Sequence, residues 1–185
     1  MSAPPDIDEI HLAIGEFVVF FQSVEDMYRQ LGWQLVDPER KAWPPLQFRK
    51  ESNQDLINKV TDLFVNLTKE HNFANGQEMA TKAESLRSTF HALRTFRNRM
   101  VHSAYHEVKS GYDVVAILRT NPRITVDPDT GEIEYDQETF DPNTIRDELG
   151  RHVQAFFQLH SLRMQAIHWH PYTKHASDEV GKPVA

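Results

Sequence analysis

Apolar residues recur every three or four positions over four long stretches of this chain, and this spacing constrains its fold more than any other feature. Such a period gathers the apolar side chains on one face of an α-helix. The four stretches cover residues 7 to 32, 53 to 71, 77 to 105 and 142 to 169. The sequence therefore predicts four long amphipathic helices that bury their apolar faces against one another.

The apolar period changes between the third and the fourth predicted helix. Residues 113 to 118 form a short β-branched run, and residues 123 to 126 and 133 to 135 alternate between apolar and polar side chains. Asp129-Thr130-Gly131-Glu132 is a typical turn sequence. We predict a small antiparallel β-hairpin or three-stranded meander over about residues 112 to 136.

These elements predict an all-α fold, a bundle of four to five helices with a small antiparallel β insert before the last helix. A chain of 185 residues is within the size of one domain, which we place at residues 1 to 170. From Pro171 onward the chain is short, polar and interrupted by Pro and Gly. Residues 171 to 185 are therefore predicted to be a disordered tail.

Composition excludes several classes of protein. The chain has no cysteine, which rules out disulfide frameworks and thiolate metal sites. The longest wholly apolar run is Phe17 to Phe21, far shorter than a membrane span. The histidines near the end of the chain lack the spacing of a zinc site, and there is no Gly-rich phosphate loop. We expect a cytoplasmic protein without a metal ion, another cofactor or a membrane partner.

Charge is distributed unevenly along the chain. The net charge is −7, which by itself argues against a non-specific nucleic-acid binder. Residues 87 to 123, however, hold seven Lys or Arg residues against two acidic ones, a local net charge of +5. This basic segment predicts an anionic partner, although a solvated helix face would give the same pattern.

The basic segment contains a short motif with the groups that phosphate chemistry requires. Residues 97 to 102 read Arg-Asn-Arg-Met-Val-His near the end of the third predicted helix. An arginine can hold a phosphate, and a histidine one turn further on can move a proton beside it. The motif Arg97, Asn98 and His102 is therefore the candidate catalytic site.

A helical wheel separates the members of this motif. Arg97 falls within the apolar arc of its helix, where a charge is costly unless it is paired or lines a cleft. Glu25 falls at the centre of the apolar arc of the first helix, so we infer that Glu25 and Arg97 face each other. A buried ion pair that only fixes helix register is the alternative. Asn98 and His102 are four residues apart on the neighbouring polar flank.

The segment Leu93 to Ser103 resembles the signature of the HEPN superfamily (higher eukaryotes and prokaryotes nucleotide-binding). That signature is an arginine, four to six residues and a histidine, with a polar residue after the arginine. It lies near the C-terminal end of a helix in a bundle of four or five helices. Many members also carry an acidic residue on the first helix, and Glu25 suits that role. The β insert is not a general feature of the superfamily.

The resemblance implies metal-independent endoribonuclease activity, in which the RNA 2′-hydroxyl attacks the adjacent phosphate. HEPN proteins commonly form homodimers that bring two motifs into one cleft. In that scheme His102 acts as general acid or base, Arg97 stabilises charge on the phosphorane, and Asn98 orients His102 or the phosphate. Glu25 holds Arg97 in place.

The same resemblance implies contacts to flanking RNA phosphates from Arg94 and Arg99. The helical wheel places His91 on the polar stripe of the site, as a further candidate for RNA binding, and a solvated helix residue is the alternative for it. Such an enzyme fits a toxin or an antiviral defence effector with an antitoxin or regulatory protein as partner. Many HEPN proteins are catalytically silent. The alternative is therefore a non-catalytic HEPN-like module that binds RNA, nucleotide or a protein partner.

Overall fold

The fold is taken from a computed structural model that describes residues 6–39, 48, 50–126, 130–131 and 133–180. Side chains are described in these ranges except at residues 122–126, 133–135 and 171–180. The predicted turn at residues 129 to 132 lies in part outside the described residues. The last five residues of the predicted tail also lie outside them.

The described residues form four helices and one small sheet, which confirms the predicted mostly helical fold with an antiparallel β insert. The helices are α1 (Ile7–Val36), α2 (Asn53–His71), α3 (Gly76–Val101) and α4 (Asn143–Val180). The strands are β1 (Ala104–Ser110), β2 (Asp113–Val126) and β3 (Ile133–Thr139). They pair antiparallel in the order β1-β2-β3. Within the described residues, no helix has both the length and the apolar character needed to cross a membrane.

The β insert begins earlier than the sequence predicts. The predicted third helix ran to about residue 105, but α3 ends at Val101 and β1 begins at Ala104. Residues 104 to 110 pair with residues 113 to 120 of β2. Gly111 has a φ of +67° and supplies the backbone conformation that a tight hairpin requires. Pairing with a strand later in the chain therefore decides the conformation of residues 104 to 110.

The last helix is longer than the sequence predicts. The disordered tail was predicted to begin at Pro171, whereas α4 continues through that residue to Val180. Residues 172 to 180 contain neither glycine nor proline, and Gly181 and Pro183 follow only after the end of α4. Pro171 itself lies within α4, and the predicted disorder of residues 171 to 185 stays a prediction.

The chain divides into two compact units, and the predicted single domain over residues 1 to 170 stays a prediction. The first unit comprises Met1–Phe21 and Leu93–His152. The Phe17 and Phe96 rings meet edge to face at 5.2 Å, and Tyr105 and Phe140 do so at 5.4 Å. The first unit thus buries aromatic contacts among its helices and beside its sheet.

The second unit comprises Gln22–Ala92 and Val153–Ala185. The Phe73 and Trp169 rings stack at 4.2 Å, and Tyr28 meets Phe90 edge to face at 5.6 Å. Helix α2 begins where the Ser52 hydroxyl accepts a hydrogen bond from a backbone N–H, and it ends at Asn72 in the left-handed conformation. The second unit is therefore a helical unit with an aromatic core.

Two glycines in α1 give opposite predictions for the same substitution. A Cβ at Gly32 would lie 2.8 Å from Val60 Cγ2 and 2.9 Å from Phe48 Cζ, whereas a Cβ at Gly15 meets nothing within 4 Å. Gly32→Ala should lower the free energy of unfolding by about 1–3 kcal/mol through overpacking. Gly15→Ala should raise it by about 0.5–1 kcal/mol because alanine favours the helix. Urea denaturation of both variants checks this, and equal stabilisation by both would contradict the close packing at Gly32.

Candidate active site

The candidate site lies where α3 ends in the first unit. The last carbonyls of a helix have no partner within the helix and need one outside its regular hydrogen bonds. The His102 N–H donates to the Asn98 carbonyl at 3.1 Å, and the Ser103 Oγ donates to the Arg99 carbonyl at 2.6 Å. The two residues after α3 are therefore held against its end by hydrogen bonds.

A third contact extends this arrangement into the first strand. The Tyr105 hydroxyl donates to the Met100 carbonyl at 3.0 Å, and its ring packs against Phe140. Burial raises the pKa of Tyr105 to about 12, with a smaller opposing effect from the charge of Arg119. Tyr105 therefore stays a hydrogen-bond donor at any physiological pH, and the junction between α3 and β1 is fixed by neutral as well as charged groups.

Arg97 and Asn98 form a joined pair within the motif. The Arg97 Nη1 donates to the Asn98 Oδ1 at 3.1 Å, and the guanidinium carbon lies 5.9 Å from the centre of the Phe21 ring. Both residues are half-buried, whereas the His102 side chain is exposed. The Arg97 Nε is buried and makes no hydrogen bond within the described chain. The pair therefore offers a cation and amide donors, and the imidazole of His102, one turn further along the chain, is exposed.

The structure contains a charged cluster that the sequence did not predict, and we call it the Arg119 cluster: Arg119, Asp136, Glu138, Arg99 and Ser103. The Arg119 side chain in β2 is fully buried. Its Nε donates to Glu138 at 2.8 Å, its Nη2 to Asp136 at 2.8 Å and its Nη1 to the Ser103 hydroxyl at 2.9 Å. One guanidinium thus joins β3 to the end of α3 through all three of its nitrogens.

Arg99 belongs to the same cluster. Its Nη2 lies 2.9 and 3.0 Å from the two carboxylate oxygens of Glu138, and its Nε lies 4.0 Å from an oxygen of Asp136. Glu138 therefore bridges Arg99 on the helix and Arg119 on the strand. The predicted contact of Arg99 with an RNA phosphate stays a prediction, and Glu138 competes for the same guanidinium.

The charges of the cluster stabilise one another. Hydrogen bonding from Arg119 holds the pKa of Asp136 below its usual value, although partial burial opposes the shift. Burial lowers the pKa of Arg119, but hydrogen bonds to Glu138 and Asp136 outweigh this effect and raise it overall. Arg119 is therefore a permanent buried cation that depends on two carboxylates.

The remaining predicted site residues lie in different surroundings. Arg94 is half-buried in the first unit, and its Nε makes no hydrogen bond within the described chain. His91 belongs to the second unit, where its Nε2 lies 2.8 Å from the Asn58 Oδ1. These positions leave the RNA contacts predicted for Arg94 and His91 as predictions.

The acidic residue predicted to hold Arg97 has a contact on its own helix. The Glu25 carboxylate lies 3.6 Å from the Arg29 Nη1, one turn further along α1. Glu25 belongs to the second unit and Arg97 to the first. The predicted pairing of Glu25 with Arg97 therefore stays a prediction. In the part of the chain that the structure describes, no three His, Asp or Glu side chains gather as a metal site would require.

Sequence reasoning missed Arg119, Asp136 and Glu138, although one signal for them existed. Asp136 and Glu138 are two residues apart, which places both on one face of a strand. Arg119 and Glu138 are also directly paired across β2 and β3. The cluster can be recognised only when the register of β2 and β3 is known. The sequence placed the turn between these strands only approximately, so their register could not be predicted from it.

Comparisons with protein-family models, curated proteins and solved structures found no match. The HEPN resemblance therefore rests on the motif residues of this chain. Any assignment of activity has to be argued from Arg97, Asn98, His102 and the contacts at the end of α3.

Proposed function

We propose that this protein is a metal-independent endoribonuclease of the HEPN type, with Arg97, Asn98 and His102 as its catalytic residues. The observation that carries the proposal is the arrangement at the end of α3. A hydrogen-bonded Arg97–Asn98 pair lies one turn before an exposed histidine whose backbone is bonded to the Asn98 carbonyl. A cation, an amide and an imidazole on one short segment suit the binding and cleavage of a phosphodiester.

The proposed reaction is an internal transfer within the RNA. The 2′-oxygen forms a bond to the adjacent phosphorus, and the bond from phosphorus to the 5′-oxygen breaks. A base takes the proton of the 2′-hydroxyl, and an acid gives a proton to the leaving 5′-oxygen. The products are a 2′,3′-cyclic phosphate and a 5′-hydroxyl end, and no water, oxidant or metal ion takes part.

His102 suits one of the two proton transfers because an imidazole gains and loses a proton near neutral pH. A second group is needed for the other transfer, because one imidazole does not easily act as both the base and the acid. In our proposal this group is His102 of a second copy of the chain, so the enzyme works as a homodimer. We further propose that it serves as a toxin or antiviral effector under the control of an antitoxin or regulatory protein.

Arg97 suits stabilisation of the phosphorane, which carries one more negative charge than the starting phosphate. Its guanidinium already lies against the face of Phe21 and is oriented by Asn98. A charge that is oriented before the reaction stabilises the transition state without a further cost of reorganisation. The Asn98 amide nitrogen has two N–H groups that can donate to a phosphate oxygen.

A second candidate function is a non-catalytic module that binds RNA, nucleotide or a protein. The pairing of Arg99 and Arg119 with Asp136 and Glu138 favours it. These acids neutralise two of the cations in the basic segment, which weakens the attraction for RNA that the sequence suggests. A binding module tolerates this loss better than an enzyme that must hold a long substrate.

The proposed function is tested by cleavage of end-labelled RNA in the presence of EDTA. Wild type and the control variant His160→Ala, which removes an exposed histidine of α4, should cleave and leave cyclic phosphate ends. His102→Ala should reduce the rate on the order of 10²–10⁴-fold, the usual contribution of general acid–base catalysis. RNA that carries 2′-deoxyribose at the cleavage position should resist all three proteins.

Two results would refute the catalytic proposal. One is wild type that cleaves no RNA under these conditions, and the other is His102→Ala that cleaves at the wild-type rate. Fluorescence anisotropy with the same RNA then tests the second candidate. Binding by a wild type that does not cleave would favour the non-catalytic module.

A further inference from the structure

The residue after His102 is held from two sides. The Ser103 Oγ donates to the Arg99 carbonyl of α3 at 2.6 Å and accepts a hydrogen bond from the Arg119 Nη1 of β2 at 2.9 Å. A hydroxyl that both donates and accepts has a fixed orientation. The backbone that carries His102 is therefore tied at one end to the helix and at the other to the sheet.

The support for Ser103 is itself rigid. The Arg119 side chain is fully buried, and Asp136 and Glu138 of β3 occupy its other two nitrogens at 2.8 Å. Its strand position is fixed by direct pairing with Tyr105 on one side and Glu138 on the other. A side chain with this many constraints keeps one conformation, so it can define the position of what it touches.

We propose that Arg119 is a positioning residue: through Ser103 it fixes the backbone at His102 and so the position of the imidazole relative to the Arg97–Asn98 pair. The inference rests on the proposed function and assigns a role to the β insert within it. The sheet supplies the support that holds a histidine placed just after the end of a helix. A catalytic group on an otherwise free segment would sample many positions, and misplacement by about 1 Å can cost on the order of 10²-fold in rate.

A purely structural role for Arg119 makes a different prediction. In that case Arg119 holds only β3, through Asp136 and Glu138, and its hydrogen bond to Ser103 has no bearing on His102. Loss of the hydrogen bond from Arg119 to Ser103 would then leave catalysis unchanged. Losses from Ser103 and Arg119 would also add independently, because the two residues would act at different places.

The test uses Ser103→Ala, Arg119→Lys and the double variant, each compared with wild type for kcat and KM on the same RNA. Lysine keeps the charge but lacks the planar guanidinium whose three separate nitrogens donate to Glu138, Ser103 and Asp136. Ser110→Ala and Arg146→Lys are the matched controls, since both residues are exposed in the first unit. All assays are run below the melting temperature of the least stable variant. If Arg119→Lys does not fold, unchanged kcat or unchanged hydrogen exchange in Ser103→Ala still overturns the role of Arg119.

Each single variant should lower kcat on the order of 10–100-fold with KM within about twofold of wild type. The double variant should be no slower than the slower single variant, because both changes break the same link. Amide hydrogen exchange at His102, whose N–H is bonded to the Asn98 carbonyl, should be at least about tenfold faster in each variant. The controls should match wild type in both measurements.

Separate readouts distinguish this inference from the proposed function. A wild type that cleaves no RNA refutes the proposed function, and hydrogen exchange at His102 still tests the positioning. The role of Arg119 would be overturned if Ser103→Ala left either hydrogen exchange at His102 or kcat unchanged. It would also be overturned if the losses of kcat from the two single variants added independently in the double variant. Faster exchange together with reduced kcat supports it.

Discussion

Asp136→Asn combined with Glu138→Gln is expected to lower the free energy of unfolding by about 3–5 kcal/mol, the usual cost of leaving a buried charge without its partner. The two substitutions keep the shape of the side chains and remove both negative charges. The fully buried Arg119 guanidinium then lacks a carboxylate and still has the cationic Arg99 nearby.

Arg119→Met should cost less, although it removes the centre of the same cluster. It leaves Asp136 and Glu138, whose side chains are 43% and 41% exposed and stay in contact with water. Glu138 also keeps its bidentate contact with Arg99. We expect a loss of about 1–3 kcal/mol, mainly from hydrogen bonds and packing, because no charge is left buried.

Urea unfolding of the three proteins measures both differences. Glu107→Gln with Asp113→Asn is the matched control, since it removes two acids from the same sheet at exposed positions. Glu107 contacts only the exposed Lys109 among the ion pairs described for it, so the control should change stability by less than about 1 kcal/mol. The expected order would be contradicted if Arg119→Met lowered the free energy of unfolding more than Asp136→Asn with Glu138→Gln does.

Lowering the pH should remove part of the stability that the Asp136 carboxylate contributes. The pKa of Asp136 is lower in the folded protein than its ordinary value, chiefly because of the hydrogen bond from Arg119. The unfolded chain therefore takes up a proton at this group, near pH 4, before the folded protein does. The stabilisation is complete above that pH and is lost as the pH falls through the lower folded value. Asp136→Asn should reduce this part of the acid sensitivity.

The sequence predicted the helices well because their signal is local. Leu86, Phe90 and Leu93 recur at helical spacing in α3, and all three are buried. The end of α3 was misplaced because Tyr105 suits either a helix or a strand on local grounds. Its pairing with Arg119, fourteen residues later in the chain, decides for the strand.

The candidate site likewise has one part that could be predicted from the sequence and one part that could not. The spacing of Arg97, Asn98 and His102 is local, so the sequence could predict the motif. The role of Arg119 depends on the register of β2 and β3. From the sequence alone, Arg119 could be recognised only as one more cation of the basic segment. The ion pair of Glu25 with Arg29 could have been predicted from the sequence, because the two residues are four apart on one helix. The helical wheel instead suggested Arg97, on another helix, as the partner of Glu25.

Arg97→Ala and His102→Ala should both abolish most RNA cleavage, on the order of 10²–10⁴-fold, but they should differ in stability. Arg97 is half-buried, bonds to Asn98 and lies over the Phe21 ring. Its loss should cost about 1–2 kcal/mol of unfolding free energy. His102 is exposed, so its loss should change stability by less than about 0.5 kcal/mol. Parallel urea unfolding and cleavage assays give both quantities.

Arg97→Met separates the chemical role of Arg97 from a purely structural one. Methionine fills much of the same volume and can pack against Phe21, but it carries no charge and cannot donate to Asn98. If Arg97 stabilises the phosphorane, Arg97→Met restores stability relative to Arg97→Ala and leaves cleavage as low. If Arg97 only fixes the helix in place, as part of a buried ion pair would, cleavage returns together with stability, and the catalytic role of Arg97 is refuted.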